Sequence, residues 1–137
     1  MTQLNIDSII HKQPINVQCQ TPLTKIIDTL IQSQQAQVPV VNADNKLLGM
    51  VSLVDCQKAL LVGAYHCDKP VRVNDIMAKQ FTALTEDESL SEVAIKTQAS
   101  PEDIFPVLKG EKLVGILKRV DLLVHLHNNL AQCSHSN

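Results

Sequence analysis

This chain repeats its own sequence once, and an internal repeat limits the folds that a chain can adopt. The first copy begins at Pro39-Val40-Val41, continues through Lys46-Leu47-Leu48-Gly49-Met50-Val51 and ends at Val54-Asp55. The second copy keeps the order with Pro106-Val107-Leu108, then Lys112-Leu113-Val114-Gly115-Ile116-Leu117, then Val120-Asp121. Upstream, Ser8-Ile9-Ile10 corresponds to Asp75-Ile76-Met77. We therefore expect two units of the same fold, at 1–66 and 67–137.

Each copy has the pattern of a β-α-β-β-α unit. Apolar residues at helical spacing follow Thr21-Pro22, a pair typical of a helix start, and Ser89 with Glu92 predicts the equivalent start in the second copy. Two short apolar strands, separated by turn-forming residues, then predict a hairpin. The short first strands lie at 15–17 and 82–84, the hairpins at 38–51 and 104–117, and the closing helices at about 52–61 and 118–130.

The fold class that these patterns predict is α/β (α+β), with the two units packed with pseudo-two-fold symmetry. A single unit of this size is too small to bury its own sheet well, so we expect the units to share a core. Related clefts occur where such units meet, and a ligand cleft is expected there.

Composition excludes several classes of function. The chain has a formal net charge of −2, 2% aromatic residues and no basic run, which argues against binding to nucleic acid or to an anionic membrane. Residues 1–10 do not have the pattern of a secretory signal peptide, and no apolar run approaches the roughly 18 residues of a membrane helix. The four cysteines are widely spaced, so we expect free thiols and a cytoplasmic location.

Catalytic and metal-binding motifs are not found in the sequence. There is no G-x-S-x-G elbow, no P-loop and no H-E-x-x-H motif, so we expect no enzyme activity. His125 and His127 are two residues apart on a predicted helix and would point in different directions, so with Cys133 and His135 they make a poor metal site. His11 and His66 lie in predicted connections and have no evident partners.

Three motifs resemble those of the CBS (cystathionine-β-synthase-type) domain. They are Val73-Asn74-Asp75-Ile76-Met77, the Pro-Val strand, and a G-x-x-[ST]-x-x-D junction at Gly49–Asp55 that returns at Gly115–Asp121. The resemblance covers the chain from about residue 7 to about residue 126, and the pair resembles a Bateman module. It implies a tandem module that binds adenosine nucleotides, commonly dimerises into a disc and regulates an attached or separate partner.

The chemistry of the junctions agrees with such a ligand. Asp55 and Asp121 each fall one turn into a helix, where a carboxylate can accept two hydrogen bonds from a ribose diol. Ser52 lies beside the free N–H groups of a helix start, an arrangement that suits a phosphate. The same residues have structural explanations, because Ser52 is a good N-cap and Asp55 is favoured there by the helix dipole.

The second junction departs from the family pattern. Lys118 replaces the Ser/Thr, and it would pair with a polyphosphate or simply extend into solvent. Phe105 would stack on an adenine or fill the core, and Asn16 and Ala83 stand where the family often has Thr. We therefore expect two unequal sites. The residues expected to contact ligand are Ile15, Asn16, Val38, Pro39, Ser52, Asp55, Thr82, Ala83, Phe105, Pro106, Lys118 and Asp121.

The sequence thus predicts a regulatory sensor of AMP, ADP, ATP or a related adenosine compound, with no resident cofactor or metal. We expect a homodimer that acts on itself or on a separate regulated protein. The alternative is a structural dimerisation or docking module that has lost its ligand, which the departures at Asn16, Ala83 and Lys118 would favour.

Overall fold

A computed structural model describes residues 6–63 and 70–135, with side chains described for 6–62 and 70–130. The elements in chain order are a 3₁₀ turn at Asp7–Ile9, β1 His11–Lys12, β2 Val17–Gln18, α1 Leu23–Ser33, β3 Gln37–Val41, β4 Leu47–Ser52, α2 Leu53–Gly63, α3 Val73–Ile76, β5 Leu84–Thr85, α4 Leu90–Gln98, β6 Ile104–Lys109, β7 Lys112–Lys118 and α5 Arg119–His135. The expected division between residues 66 and 67 lies outside the described residues.

The described residues form two compact units. The Asp55 unit consists of residues 15–63, 70–81 and 111–113, and it contains a three-stranded sheet in the order β2-β3-β4. The Asp121 unit consists of residues 6–14, 82–110 and 114–135. It contains a four-stranded sheet in the order β1-β7-β6-β5, except for the first two residues of β7, which belong to the Asp55 unit. The α+β class and the two β-α-β-β-α units are confirmed. In each unit, a short segment of one repeat copy pairs with a hairpin strand of the other copy. β1 pairs with β7 in the Asp121 unit, and Ala78 pairs with Met50 of β4 in the Asp55 unit.

The two hydrophobic cores are built mainly from equivalent positions of the repeat. In the Asp55 unit the core comprises Val17, Ile26, Leu30, Val38, Val40, Val51, Cys56 and Val73. In the Asp121 unit it comprises Leu84, Leu90, Val93, Phe105, Val107, Leu117, Leu122 and Ile6. Ile6 fills in one unit the place that Val73 fills in the other. Aliphatic side chains dominate both cores, and burial of such side chains supplies most of the driving force for folding.

Some predicted details are corrected by the structure. Thr21 does not cap α1: the N-cap is Pro22, and the Thr21 hydroxyl donates to the carbonyl of Gln18 instead. The N-cap at Ser89 is confirmed, since its hydroxyl accepts from the Glu92 N–H at 3.2 Å. The short first strands begin two residues later than expected, because parallel pairing with β3 and β6 starts only there.

Two glycines allow a chain segment to cross each hairpin closely. A Cβ at Gly49 would lie 2.6 Å from the carbonyl oxygen of Ala78, and one at Gly115 would lie 2.9 Å from the carbonyl oxygen of His11. The crossing segments pair with the strands beneath them, Ala78 with Met50 and His11 with Ile116. The glycine of each G-x-x-x-x-x-D junction therefore brings the segment before a first strand onto the strand that leads to the aspartate.

Candidate functional site

The first junction is a helix cap. The Oδ2 atom of Asp55 accepts from the backbone N–H of Ser52 at 2.9 Å, and the Oγ atom of Ser52 accepts from the N–H of Asp55 at 3.1 Å. This reciprocal pair has the geometry of a capping box and holds the start of α2. An ionised carboxylate has about four lone-pair sites, so Asp55 keeps accepting capacity beyond this one bond.

The Asp55 carboxylate lines a pocket between α2 and the residues around α3. The pocket has a volume of about 340 Å³ and its wall is mainly apolar. The side chains that line it are those of Asp55, Lys58, Ala59, Val62, Val71, Asp75 and Ile76. Asp75 is already engaged, since its carboxylate accepts from the N–H of Arg72 at 3.0 Å. Asp55 and Lys58 therefore provide the remaining charged groups among the lining side chains.

The second junction uses its aspartate differently. The Oδ2 atom of Asp121 lies 2.6 Å from the Nε2 atom of His11, and both side chains are partly exposed. A carboxylate only accepts, so Nε2 carries the proton of this hydrogen bond. The expectation that His11 lies in a connection without a partner is wrong. Antiparallel pairing of β1 with β7 places His11 beside Ile116, close to the start of α5.

The Asp121 carboxylate also lines a pocket, within its own unit. This pocket has a volume of about 480 Å³, and the residues that line it are Ser8, Ile9, Ile10, His11, Asp121, Val124, His125 and Asn128. The Nε2 atom of His125 is buried and has no hydrogen-bond partner among the described residues. Lys118, half-buried at the end of β7, is not among the lining residues.

The two pockets are related by the repeat. Ile9 corresponds to Ile76, Asp121 to Asp55, and His125 to Ala59 when the two copies are superposed in sequence. Each pocket therefore lies between the turn before a first strand and the helix after a G-x-x-x-x-x-D junction. The sequence patterns identified both aspartates as site residues but did not identify His11 or His125. A signal for His11 was present, because extending the match of Ser8–Ile10 with Asp75–Met77 by one residue aligns His11 with Ala78.

The remaining predicted contacts lie elsewhere. Val38, Pro39, Phe105 and Pro106 are buried in β3 and β6, and neither pocket is lined by them. Phe105 is fully buried in its core, with the Arg119 guanidinium 5.2 Å from the ring centroid, which is the core-filling alternative. Ile15 is exposed, and Asn16, Thr82 and Ala83 are half-buried. Their ligand contacts stay a prediction.

Cys56 follows Asp55 directly, yet it is not a reactive group. Its side chain is buried in the core of the Asp55 unit. Burial raises the pKa of the Cys56 thiol, and the nearby Asp55 charge adds to the increase. The thiolate is the nucleophilic form, so this cysteine is held in its unreactive state.

A comparison with protein families decides what these units are. The family model of the CBS domain matches residues 6–62 and 73–128. The chain belongs to the CBS domain family. The two matched segments cover both copies of the repeat, so the molecule contains two CBS domains in tandem.

Solved structures with similar folds include a CBS domain pair. AcuB from Vibrio cholerae superposes with a TM-score of 0.80 at 24% identity, covering 99% of this chain and 98% of that one. The CBS domain pair of protein MJ0100, in complex with 5-methylthioadenosine and S-adenosyl-L-methionine, gives a TM-score of 0.76 at 24% identity over 93% and 99% of the two chains. CBSX2 in complex with AMP gives 0.77 at 18% identity over 91% and 97%.

The curated relatives that this CBS pair matches are longer proteins, most of them named as enzymes. Their identity to this chain is 22–25%, and the chain spans 12–44% of their length. The match therefore falls on a part of each relative.

Two further observations concern the described CBS units. Within residues 6–63 and 70–135, no helix has both the length and the apolar character needed to cross a bilayer. In the same part of the chain, no three His, Cys, Asp or Glu side chains are grouped so that they could hold a metal ion.

Proposed function

We propose that this CBS pair is a regulatory module that binds an adenosine nucleotide or a related adenosine compound. The observation that carries the proposal is that Asp55 and Asp121, at equivalent positions of the repeat, each line a pocket in their own unit. The two complexes named above, one with AMP and one with 5-methylthioadenosine and S-adenosyl-L-methionine, support an adenosine ligand of this kind.

The chemistry of the proposed contact is that of a carboxylate and a vicinal diol. The 2′- and 3′-hydroxyls of a ribose are donors at adjacent carbons, and a carboxylate presents two acceptor oxygens at a similar spacing. Hydrogen bonds to a charged acceptor are each stronger than those between neutral groups. Asp55 gives one lone pair to its capping bond and Asp121 gives one to His11, so each keeps acceptor sites for ligand hydroxyls.

A role in regulation rather than catalysis agrees with the pockets. Asp55 takes part in the helix cap, and the neighbouring Cys56 thiol is buried in the core. We propose that ligand binding alters how the module interacts with itself or with a separate protein in the cytoplasm.

We also propose that the module forms a homodimer through α2 and α5, the helices that follow the two hairpins. Large apolar side chains stay exposed on these helices, which is unusual for a monomer in water. On α2 they are Leu53, Val54, Leu60, Leu61 and Val62, and on α5 they are Val120, Leu123, Val124 and Leu130. Light scattering on the purified chain tests this. A dimer that becomes a monomer on Leu61→Lys and Leu123→Lys supports it, and a wild-type monomer at micromolar concentration contradicts it.

A thermal-shift panel tests ligand binding. The purified chain is heated with adenosine, AMP, ADP, ATP and S-adenosylmethionine, and ligand at about a hundred times its Kd adds about 2.7 kcal/mol of stability. At least one compound should raise Tm by several degrees, and Asp55→Asn with Asp121→Asn should remove the shift. Asp44→Asn, in the exposed β3–β4 turn, is the matched control. A panel without any shift would overturn the proposal.

A ligand-free docking module is the second candidate. It is favoured by the engagement of both junction aspartates within the protein itself, Asp55 with Ser52 and Asp121 with His11. A chain that dimerises, ignores every compound of the panel and carries no small molecule in native mass spectrometry would establish this alternative.

A further inference from the structure

The backbone N–H groups at the start of α2 are already bonded within the protein. The N–H of Ser52 donates to the Asp55 carboxylate at 2.9 Å, and the N–H of Asp55 donates to the Ser52 hydroxyl at 3.1 Å. The N–H of Leu53 donates to the carbonyl of Ala36 at 2.9 Å. Because a helix start binds a phosphate through its free N–H groups, these three bonds leave it little to offer to one.

The start of α5 is engaged in a similar way by Arg119. The backbone N–H of this residue donates to the carbonyl of Asp103 at 2.8 Å. Its guanidinium donates to three carbonyl oxygens of the loop between α4 and β6, those of Thr97, Ser100 and Glu102. The same group lies 3.3 Å from the Asp103 carboxylate. This cation therefore holds a loop in place and is not free to bind a phosphate.

The charged groups that line the two pockets are mainly negative. The Asp55 pocket has the carboxylates of Asp55 and Asp75 and the ammonium of Lys58, a net charge of −1. The Asp121 pocket has one carboxylate, and the described residues that line it include no lysine or arginine, so its net charge is also −1 when its histidines are neutral. Val124 lines that pocket at the position equivalent to Lys58.

An anionic group is disfavoured in such surroundings. It would lose hydration on entering the pocket and would meet carboxylates at short range. A phosphate monoester carries about −1.5 to −2 charges at pH 7, and the single ammonium of Lys58 cannot balance it together with two carboxylates. The rest of the Asp55 pocket is apolar, which favours uncharged groups that lose little hydration. Its apolar lining residues are Ala59, Val62, Val71 and Ile76.

We propose that this module selects an adenosine compound whose 5′ group has no net negative charge, and that it selects against AMP, ADP and ATP. A nucleoside, a thioether or a sulfonium compound belongs to the favoured class. The inference rests on the proposed function and narrows its class of ligand. Selection against phosphate follows from two independent features, the engaged N–H groups at the helix starts and the net negative lining of both pockets.

Titration calorimetry on the full chain, in buffer without divalent cations, tests the inference. Adenosine, 5′-methylthioadenosine and S-adenosylmethionine are compared with AMP and ATP, at low and at high salt. Asp75→Asn removes one charge from the Asp55 pocket and keeps an acceptor for the Arg72 N–H. Val124→Lys gives the other pocket the lysine of the first copy. Asp44→Asn, in an exposed turn outside both pockets, is the matched control.

At least one compound without phosphate should bind more tightly than AMP, and ATP should bind most weakly. Asp75→Asn and Val124→Lys should each raise AMP affinity by about two- to fivefold, the range for one partly exposed charge, and leave adenosine affinity unchanged. Higher salt should narrow the preference, because it screens the repulsion. Asp44→Asn should change neither affinity.

Two results would overturn the inference and leave the proposed function standing. One is AMP or ATP binding at least as tightly as every compound without phosphate. The other is an AMP affinity that responds to Asp75→Asn and Val124→Lys no more than adenosine affinity does. If none of the five probes binds the wild-type chain, the proposed function fails and the inference fails with it.

Discussion

The Nε2 atom of His11 lies 2.6 Å from the Oδ2 atom of Asp121, although 110 positions separate these residues in the sequence. The bond joins the first strand of the described chain to the last helix, inside one compact unit. In the other unit the equivalent aspartate, Asp55, bonds the backbone of its own helix start. One repeated carboxylate has therefore acquired two different local roles.

The His11–Asp121 bond should contribute little to overall stability. Both side chains are partly exposed, at 48% and 36%, and pairs of this kind contribute about 0–1 kcal/mol. We expect His11→Ala to lower the free energy of unfolding by less than about 1 kcal/mol. Urea unfolding measures this. A loss above about 2 kcal/mol would mean that the pair is a main support of the N-terminal strand.

The capping box at Ser52 should matter more for folding. Ser52→Ala removes the acceptor for the Asp55 N–H, and the loss of such a cap costs about 1 kcal/mol. Lys118→Ala is the matched control in the other copy, since a lysine side chain has no acceptor for a helix N–H. Chemical denaturation of both variants checks the difference. Equal stability losses would show that the Ser52 hydroxyl does not support α2.

The junction glycines should tolerate no side chain. Gly49→Ala places a Cβ 2.6 Å from the Ala78 carbonyl oxygen, so the crossing segment must shift, and overpacking of this kind costs about 1–3 kcal/mol. Gly115→Ala should cost a similar amount, because its Cβ would meet the Ile10 side chain and the carbonyl of His11.

Gly110→Ala separates crowding from backbone strain at these glycines. Gly110 has a positive φ of 63° and open space around its Cβ position, so it reports strain alone. Thermal unfolding should show that both junction variants lose more stability than Gly110→Ala. The reverse order would contradict the close crossing.

Cys56 should be slow to react with alkylating reagents. Its pKa is raised mainly by burial and further by Asp55, so its thiolate is scarce near neutral pH. Iodoacetamide labelling followed by peptide mass spectrometry should modify the partly exposed Cys19 well before Cys56. Labelling of Cys56 first would show that its unit opens readily.

The same raised pKa predicts how stability depends on pH. The unfolded chain would lose the Cys56 proton at the ordinary value of about 9, whereas the folded chain keeps it to higher pH. The unfolded state then binds fewer protons than the folded state, so the free energy of unfolding falls as pH rises above about 9. The fall should be smaller in Cys56→Ala, as measured by urea unfolding at several pH values.

The repeat made the cores and the elements predictable. Apolar periodicity at positions such as Ile26 and Val93 reports burial directly, and both residues are fully buried. The ends of the short strands were less predictable, because the start of β2 at Val17 depends on its pairing with Val40. Local sequence does not encode that pairing.

The candidate site was predictable only in part. Asp55 and Asp121 each belong to a copy of one motif, and each copy occupies a contiguous stretch of sequence, so the spacing of the motif identifies them. The contact of His11 with Asp121 depends on the pairing of β1 with β7, which sequence spacing does not contain. Thr21 shows the same limit, since its hydroxyl bonds Gln18 rather than capping the helix that follows.

Titration calorimetry of the purified chain with AMP and with adenosine tests the central claim most directly. We expect binding of at least one of them, with Asp55→Asn and Asp121→Asn each weakening its own site by about 1.5–3 kcal/mol, the range for hydrogen bonds to a charged group. Binding that both aspartate variants leave unchanged, or heats no larger than dilution for the wild-type chain, would contradict the claim that these carboxylates hold an adenosine ligand.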